Sequence, residues 1–227
     1  MKSMLRYGLT VFTFVSLLHS EAADLYFLRH AQTMANVTRE YTEENQRAFS
    51  PIGKEQVAGV VEKLAEHEFD IVLVSPAYRT LHTVLPVLHD RGMTAEIWPE
   101  LYECCWDRET EEEEPQVTRG DRIELDEDTA AFFTFRDDDA MYMLSVDTPA
   151  RGELMVADAV ARLQERFAGT DKRILIVSHY HTSGRIMRSL LGDAAPWRIQ
   201  PRNAELSHLE EVEDGQWVLR MLNDEPQ

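Results

Sequence analysis

Cysteine is scarce in this chain: two residues among 227, Cys104 and Cys105, side by side. Two neighbours cannot staple a long loop, so no disulfide framework supports the fold. A bond between them would close a small ring and add little stability, which leaves free thiols or a vicinal disulfide open. No CxxC spacing or spaced histidine pair accompanies them, so neither a metal centre nor another cofactor is expected. Positive charge is scarce too. Lysine and arginine number 23 against 41 aspartates and glutamates, a net charge of −18. Such a surface repels nucleic acid and anionic lipid, so neither is an expected partner. Any phosphate chemistry must then depend on a local cationic pocket. A membrane-length apolar run is missing: the uncharged stretch over 7–18 falls short of the ~20 residues a spanning helix needs. No internal repeat and no second domain stand out. A chain that is 44% hydrophobic and 28% charged suits one folded domain.

The N-terminus differs from the rest. Lys2 and Arg6 precede the uncharged run, and Ser20-Glu21-Ala22 follows with small residues at its first and third positions. That order predicts a secretory signal peptide over 1–22, cleaved after Ala22 or Ala23. It also predicts a secreted or periplasmic domain over 23–227, with no membrane attachment after cleavage.

Beyond it, strand and helix patterns alternate. "LYFL" (25–28), "FDIVLV" (69–74), "TAEIW" (94–98) and "RILIVS" (173–178) read as strands. Ser50 as N-cap and Pro51 at the first helical position open a helix over 50–67, with Val57, Val60, Val61 and Leu64 at helical spacing. Further helices are expected over 77–90, 152–168 and 182–191. The tail reads as a hairpin around Asp214-Gly215. Continuous apolar strands with intervening helices predict an α/β three-layer sandwich, its central sheet mostly parallel with helices on both faces. Residues 107–128 break the pattern with eleven acidic and three basic residues. An acidic, solvated loop or insertion is expected over about 103–128.

In such sheets function gathers beyond the carboxyl ends of the strands. Arg29-His30 ends the first strand, Ser75 to Arg79 follows the second, and Ser178-His179 ends the "RILIVS" strand. Two arginines and two histidines at one edge make a pocket for a dianion. A neutral imidazole is a competent nucleophile toward phosphorus, and neighbouring cations favour the neutral ring. Such cations supply the charge that Mg²⁺ otherwise would, so a metal-independent reaction is expected. A leaving alkoxide then needs a carboxylic acid from a nearby loop. His67, His82, His89 and His208 lack such a setting and read as structural.

These residues fall into motifs in order: Arg29-His30-Ala31-Gln32-Thr33 with Asn36; Phe49-Ser50-Pro51-Ile52-Gly53-Lys54-Glu55-Gln56; Ser75-Pro76-Ala77-Tyr78-Arg79-Thr80-Leu81-His82-Thr83; Gly152-Glu153-Leu154 with Arg162; and Val177-Ser178-His179-Tyr180. The chain thereby resembles the histidine phosphatase superfamily, in its phosphoglycerate-mutase-like branch. The resemblance implies a histidine acid phosphatase-like phosphomonoester hydrolase acting on a small phosphorylated substrate. His30 would become phosphohistidine, and Arg29, Arg79 and His179 would hold the phosphate. Asn36 would be a supporting contact, and Glu103 would stand at the position of the general acid, with Glu100 and Asp107 as neighbouring candidates. Two positions depart from the pattern. Ala31 replaces a glycine and is tolerated if its φ is negative. Tyr180 replaces another, followed by His181, and either packs beneath the sheet or narrows the pocket rim. A non-catalytic phosphoester-binding protein and a phosphoglycerate mutase-type phosphotransferase are the alternatives. Export and the lack of clustered cations over 103–128 speak against the mutase.

Overall fold

The computed structural model describes residues 22–105, 115–196, 198–212 and 215–227. The expected signal peptide, apart from Ala22, lies outside these residues, as do Trp106, Asp107 and Asp214. The strands are β1 (Asp24–Arg29), β2 (Ile71–Val74), β3 (Ala95–Ile97), β4 (Thr118–Arg122), β5 (Phe133–Phe135), β6 (Tyr142–Ser145), β7 (Arg173–Ser178), β8 (Leu206–Glu211), β9 (Trp217–Leu222) and β10 (Glu225–Pro226). The helices are α1 (Met34–Thr38), α2 (Glu43–Arg47), α3 (Pro51–Lys63), α4 (Tyr78–Arg91), α5 (Pro149–Phe167) and α6 (Tyr180–Leu191).

Eight strands form one sheet in the order β10-β9-β8-β1-β7-β2-β3-β5. From β1 through β7, β2 and β3 to β5 every pairing is parallel, while β8, β9 and β10 continue the other side antiparallel. Alternation along each strand splits the core in two. Leu25, Phe27, Leu73, Ile174 and Ile176 face α5 and α6, where Met155, Ala159, Leu163, Ile186 and Met187 cover them. Leu28, Val72, Val74, Leu175 and Val177 face α3 and α4, meeting Val60, Leu64, Val84, Val87 and Leu88. This is the expected sandwich.

Local rules account for the helix starts that matter. The Ser50 hydroxyl accepts the amide of Gly53 at 3.0 Å, and Pro51 follows at the first helical position. Gly53 itself is required by space, since a Cβ there would lie 1.9 Å from the Gln32 carbonyl oxygen. That close approach seats α3 beside the loop after His30. Helix α6 begins at Tyr180, two residues earlier than the apolar spacing predicts, so Tyr180 and His181 form its first turn.

Three features go beyond the sequence expectations, the third by deciding between the two cysteine states left open above. Helices α1 and α2 span five residues each, too short to show a period. The acidic segment is not wholly loop: the exposed β4 pairs antiparallel with β6 as a separate two-stranded sheet. Cys104 and Cys105 are joined in a vicinal disulfide, and both are buried in the core beside α5. Their bridge closes no loop, yet it fills a packed position. A Cβ on Gly152 would lie 2.6 Å from Cys105 Sγ and 3.0 Å from Cys104 Cβ.

Candidate active site

Parallel register brings the three strand ends level. Arg29 pairs with Ser178 and Val74 with Val177, so His30, Ser75 and His179 emerge together at one sheet edge. Backbone bonds hold that edge: His30 N–H donates to the Ser178 carbonyl and Ser75 N–H to the Val177 carbonyl, both at 3.0 Å. Arg79 joins from the first turn of α4.

His30 is buried. Its Nδ1 lies 2.8 Å from the Ala31 carbonyl oxygen, which can only accept. Nδ1 therefore carries the proton, and Nε2 keeps its lone pair. Burial holds the ring well below the ordinary histidine pKa, and the charges of Arg79 and Arg29 push the same way. Burial thus leads the cations as the cause of the neutral ring, where sequence reasoning names the cations alone. Ala31 has no positive φ, so its replacement of glycine costs no strain, and its amide donates to Thr83 Oγ1 at 2.9 Å.

His179 is equally buried, its ring 5.2 Å from that of His30 in an edge-to-face arrangement. Burial first, then Arg79, His30 and Arg29, keep it neutral too. Its Nε2 lies 2.7 Å from Ser75 Oγ, and its buried Nδ1 has no hydrogen-bond partner. The Ser75 hydroxyl has one acceptor among the described residues, His179 Nε2. A neutral ring that accepts there carries its single proton on Nδ1, the nitrogen left over.

The two arginines are buried cations with spare donors. Arg29 gives one N–H to the Pro201 carbonyl at 3.0 Å, while its Nε is buried without a partner. Arg79 donates to Gln46 Oε1 at 3.2 Å, and the Tyr102 side chain acts on its charge. Burial lowers the pKa of both from a value so high that the charge persists.

Asn36 reaches the same loop, but its Oδ1 is occupied. It accepts from Thr33 N–H at 3.1 Å and from Asn203 Nδ2 at 3.3 Å, leaving Nδ2 without a partner among the described residues. Glu103 is brought into the pocket. Its charge acts on both Arg29 and Arg79, and its Oε1 accepts the amides of His181 at 3.0 Å and Thr182 at 3.4 Å. The carboxylate thus sits on the N-terminus of α6. Glu100 is not in the pocket; it is buried in ion pairs with Arg136 at 3.0 Å and Arg162 at 3.3 Å. Tyr180 stands beside Arg29, its ring 5.1 Å from the guanidinium carbon. With the Gln200 amide turned, the Gln200 oxygen accepts from the Tyr180 hydroxyl and from Arg198 at 2.9 Å.

Sequence reasoning missed Gln46, Tyr102 and Asn203. Asn203 ties the site together: its Nδ2 donates to the His30 carbonyl at 2.8 Å, and its own carbonyl accepts from Gln56 Nε2 at 3.1 Å. Gln56 in turn accepts the Gln32 amide at 2.8 Å. Among the described residues no group of three or more His, Cys, Asp or Glu is placed to hold a metal ion.

Comparison with known proteins agrees with this geometry. The family model described as histidine phosphatase superfamily (branch 1) matches residues 25–225. The adenosylcobalamin/alpha-ribazole phosphatase of Escherichia coli is 28% identical over 173 residues, 74% of this chain and 79% of that protein. A solved structure of a putative alpha-ribazole-5'-P phosphatase from the same species covers 90% of this chain and 98% of its own, at 23% identity and a TM-score of 0.60. A phosphoserine phosphatase from Entamoeba histolytica, solved with phosphoserine, aligns over 88% of this chain and 96% of its own at 18% identity and a TM-score of 0.57.

Proposed function

We propose that this chain, which belongs to the histidine phosphatase superfamily, is an exported, metal-independent phosphomonoesterase that works through a phosphohistidine on His30. The observation that carries the reading is the His30 tautomer. Nδ1 is spent on the Ala31 carbonyl, so the lone pair of Nε2 is available in a buried pocket between two guanidiniums.

The reaction follows from the side chains. Arg29 and Arg79 bind the phosphate oxygens, and their unfilled donors become satisfied. His179 Nδ1–H, fixed by Ser75 on the far nitrogen, donates to an equatorial oxygen, and Asn36 Nδ2 adds a neutral donor. His30 Nε2 attacks phosphorus in line, the ester P–O bond breaks, and the leaving oxygen takes a proton from Glu103 Oε2. A water then attacks the phosphohistidine with Glu103 as base. The N–P bond breaks, and inorganic phosphate leaves. Two fixed guanidiniums stabilise the charge spread over the transferring group, the role a metal fills in other phosphoryl transfers. A small phosphorylated substrate is in keeping with the phosphatases above. Export rests on the order of charges, apolar run and small residues over 1–22.

Incubation of the protein, dialysed against EDTA, with a panel of small phosphomonoesters tests this. Hydrolysis of at least one, unchanged by added Mg²⁺ or Zn²⁺, is expected. Activity that appears only on adding a metal would contradict the metal-independent mechanism.

A further inference from the structure

At the opposite edge of the sheet from His30, a buried carboxylate has no cation among the described residues. Glu211 ends β8 and is 4% exposed. Among the described residues it forms no ion pair. Its Oε2 accepts two backbone amides instead, Gly169 N–H at 2.8 Å and Ala23 N–H at 3.3 Å. The other charges at this edge are matched: Asp24 with His208, Lys172 with Asp171, Arg173 with Glu68 and Asp70, Glu210 with Arg220. Two amides offset part of the cost of an ionised carboxylate in such a place, and a facing cation would offset more.

The cation that geometry allows is a chain terminus. Ala23 is fully buried, and its carbonyl accepts the Glu211 amide at 2.8 Å, so Ala23 and Glu211 are locked together at the start of β1. Its nitrogen is the atom that a cut before residue 23 would convert from an amide to an ammonium.

We infer that processing cuts between Ala22 and Ala23 and that the new ammonium group of Ala23 pairs with Glu211, so that cleavage completes the fold. This rests on the export reading above. Hydrolysis by a leader peptidase consumes one water; Ala22 leaves with the carboxylate and Ala23 keeps the protonated amine. A cut one residue later would remove the buried Ala23 and leave Glu211 with Gly169 alone. Because Ala23 is buried, the cut must precede docking of β1.

The pair has a defined pH window. A free α-amine titrates near 7.7–8.0; burial of Ala23 lowers that value in the folded state, and the Glu211 carboxylate beside it raises it. The stabilisation is therefore present near pH 7, where both groups are charged, and lost as pH rises through the folded pKa of the amine.

The test combines intact mass of the exported protein with a double-mutant cycle on thermal midpoints. The cycle compares the chain beginning at Ala23 with the chain beginning at Ser20, each with and without Glu211→Gln. The pairs at this edge, His208 included, are common to all four proteins and cancel. At pH 7, Glu211→Gln is expected to lower the midpoint by roughly 5 °C in the chain beginning at Ala23. Less than half of that is expected in the extended chain, where residue 23 offers only an amide. At pH 10 the two losses should converge. A mass showing a mature terminus other than Ala23 would overturn the assigned cut, and equal losses in both chains at pH 7 would overturn the ion pair. Retention of the whole leader would sink the export reading and the assigned cut with it. The catalytic reading stands or falls separately on hydrolysis by the same samples.

Discussion

His30→Ala should lose turnover by roughly 10⁴–10⁶-fold, the scale on which removal of a nucleophile acts. Nothing else in the pocket can replace it. His179 is the other buried imidazole, but its Nε2 faces Ser75 at 2.7 Å and its remaining nitrogen is the one left for the phosphate. The fold should survive, because His30 contributes its backbone, not its ring, to the strand-end bonds with Ser178 and Asn203. Phosphate should still bind within a few fold as a competitive inhibitor in assays on the residual activity, since Arg29 and Arg79 remain. The variant should also be less acid-sensitive. Folded His30 resists protonation well below 6.5, whereas the unfolded chain takes that proton near 6.5. Native stability therefore falls as pH drops below about 6.5, and removing the ring removes that share of the loss. Steady-state rates, circular dichroism and unfolding midpoints at pH 5 and pH 7 measure all of this. A correctly folded variant keeping more than about a tenth of native kcat would rule His30 out as nucleophile.

Glu103→Gln should separate good leaving groups from poor ones. An alkyl phosphate departs as a strongly basic alkoxide and needs the proton in the transition state. A nitrophenyl phosphate departs as a stabilised anion and needs it far less. General-acid assistance is worth ~10²–10⁴-fold, so the losses on the two substrates should differ by a large part of that range. The substitution is clean for a structural reason. Glu103 Oε1 accepts the His181 and Thr182 amides, and a glutamine oxygen can accept the same two bonds. The oxygen that would carry the proton is exchanged, and with it goes the charge that acts equally for both substrates on Arg29 and Arg79. Glu100 offers no substitute, since it is enclosed by Arg136 and Arg162. Parallel kcat measurements on an alkyl and a nitrophenyl ester decide the matter, and equal losses on both would move the acid elsewhere.

What the sequence made legible was local. Arg29-His30, Ser75 to Arg79 and Ser178-His179 each sit at the end of an apolar strand, and a parallel sheet must bring such ends to one edge. The apolar faces of α3 and α5 were readable because each spans three turns or more. Long-range contacts between unpatterned segments were not. Ser75 and His179 are 104 residues apart and meet through register alone. Asn203 and Gln46 lie in a turn and a five-residue helix, where no period marks them. Gly53 and Gly152 were visible as motif positions, but the Gln32 carbonyl and the disulfide that exclude a side chain there were not. Tyr180 showed as a departure, and only the structure places its ring against Arg29.

The central claim is covalent catalysis on His30, and rapid quench with a substrate carrying labelled phosphate tests it most directly. Stopped in the millisecond range and kept alkaline, the native protein should carry acid-labile, base-stable phosphate that maps to the peptide containing His30, while His30→Ala carries none. Turnover with no labelled protein at any quench time, or label on His179 instead, would contradict the account.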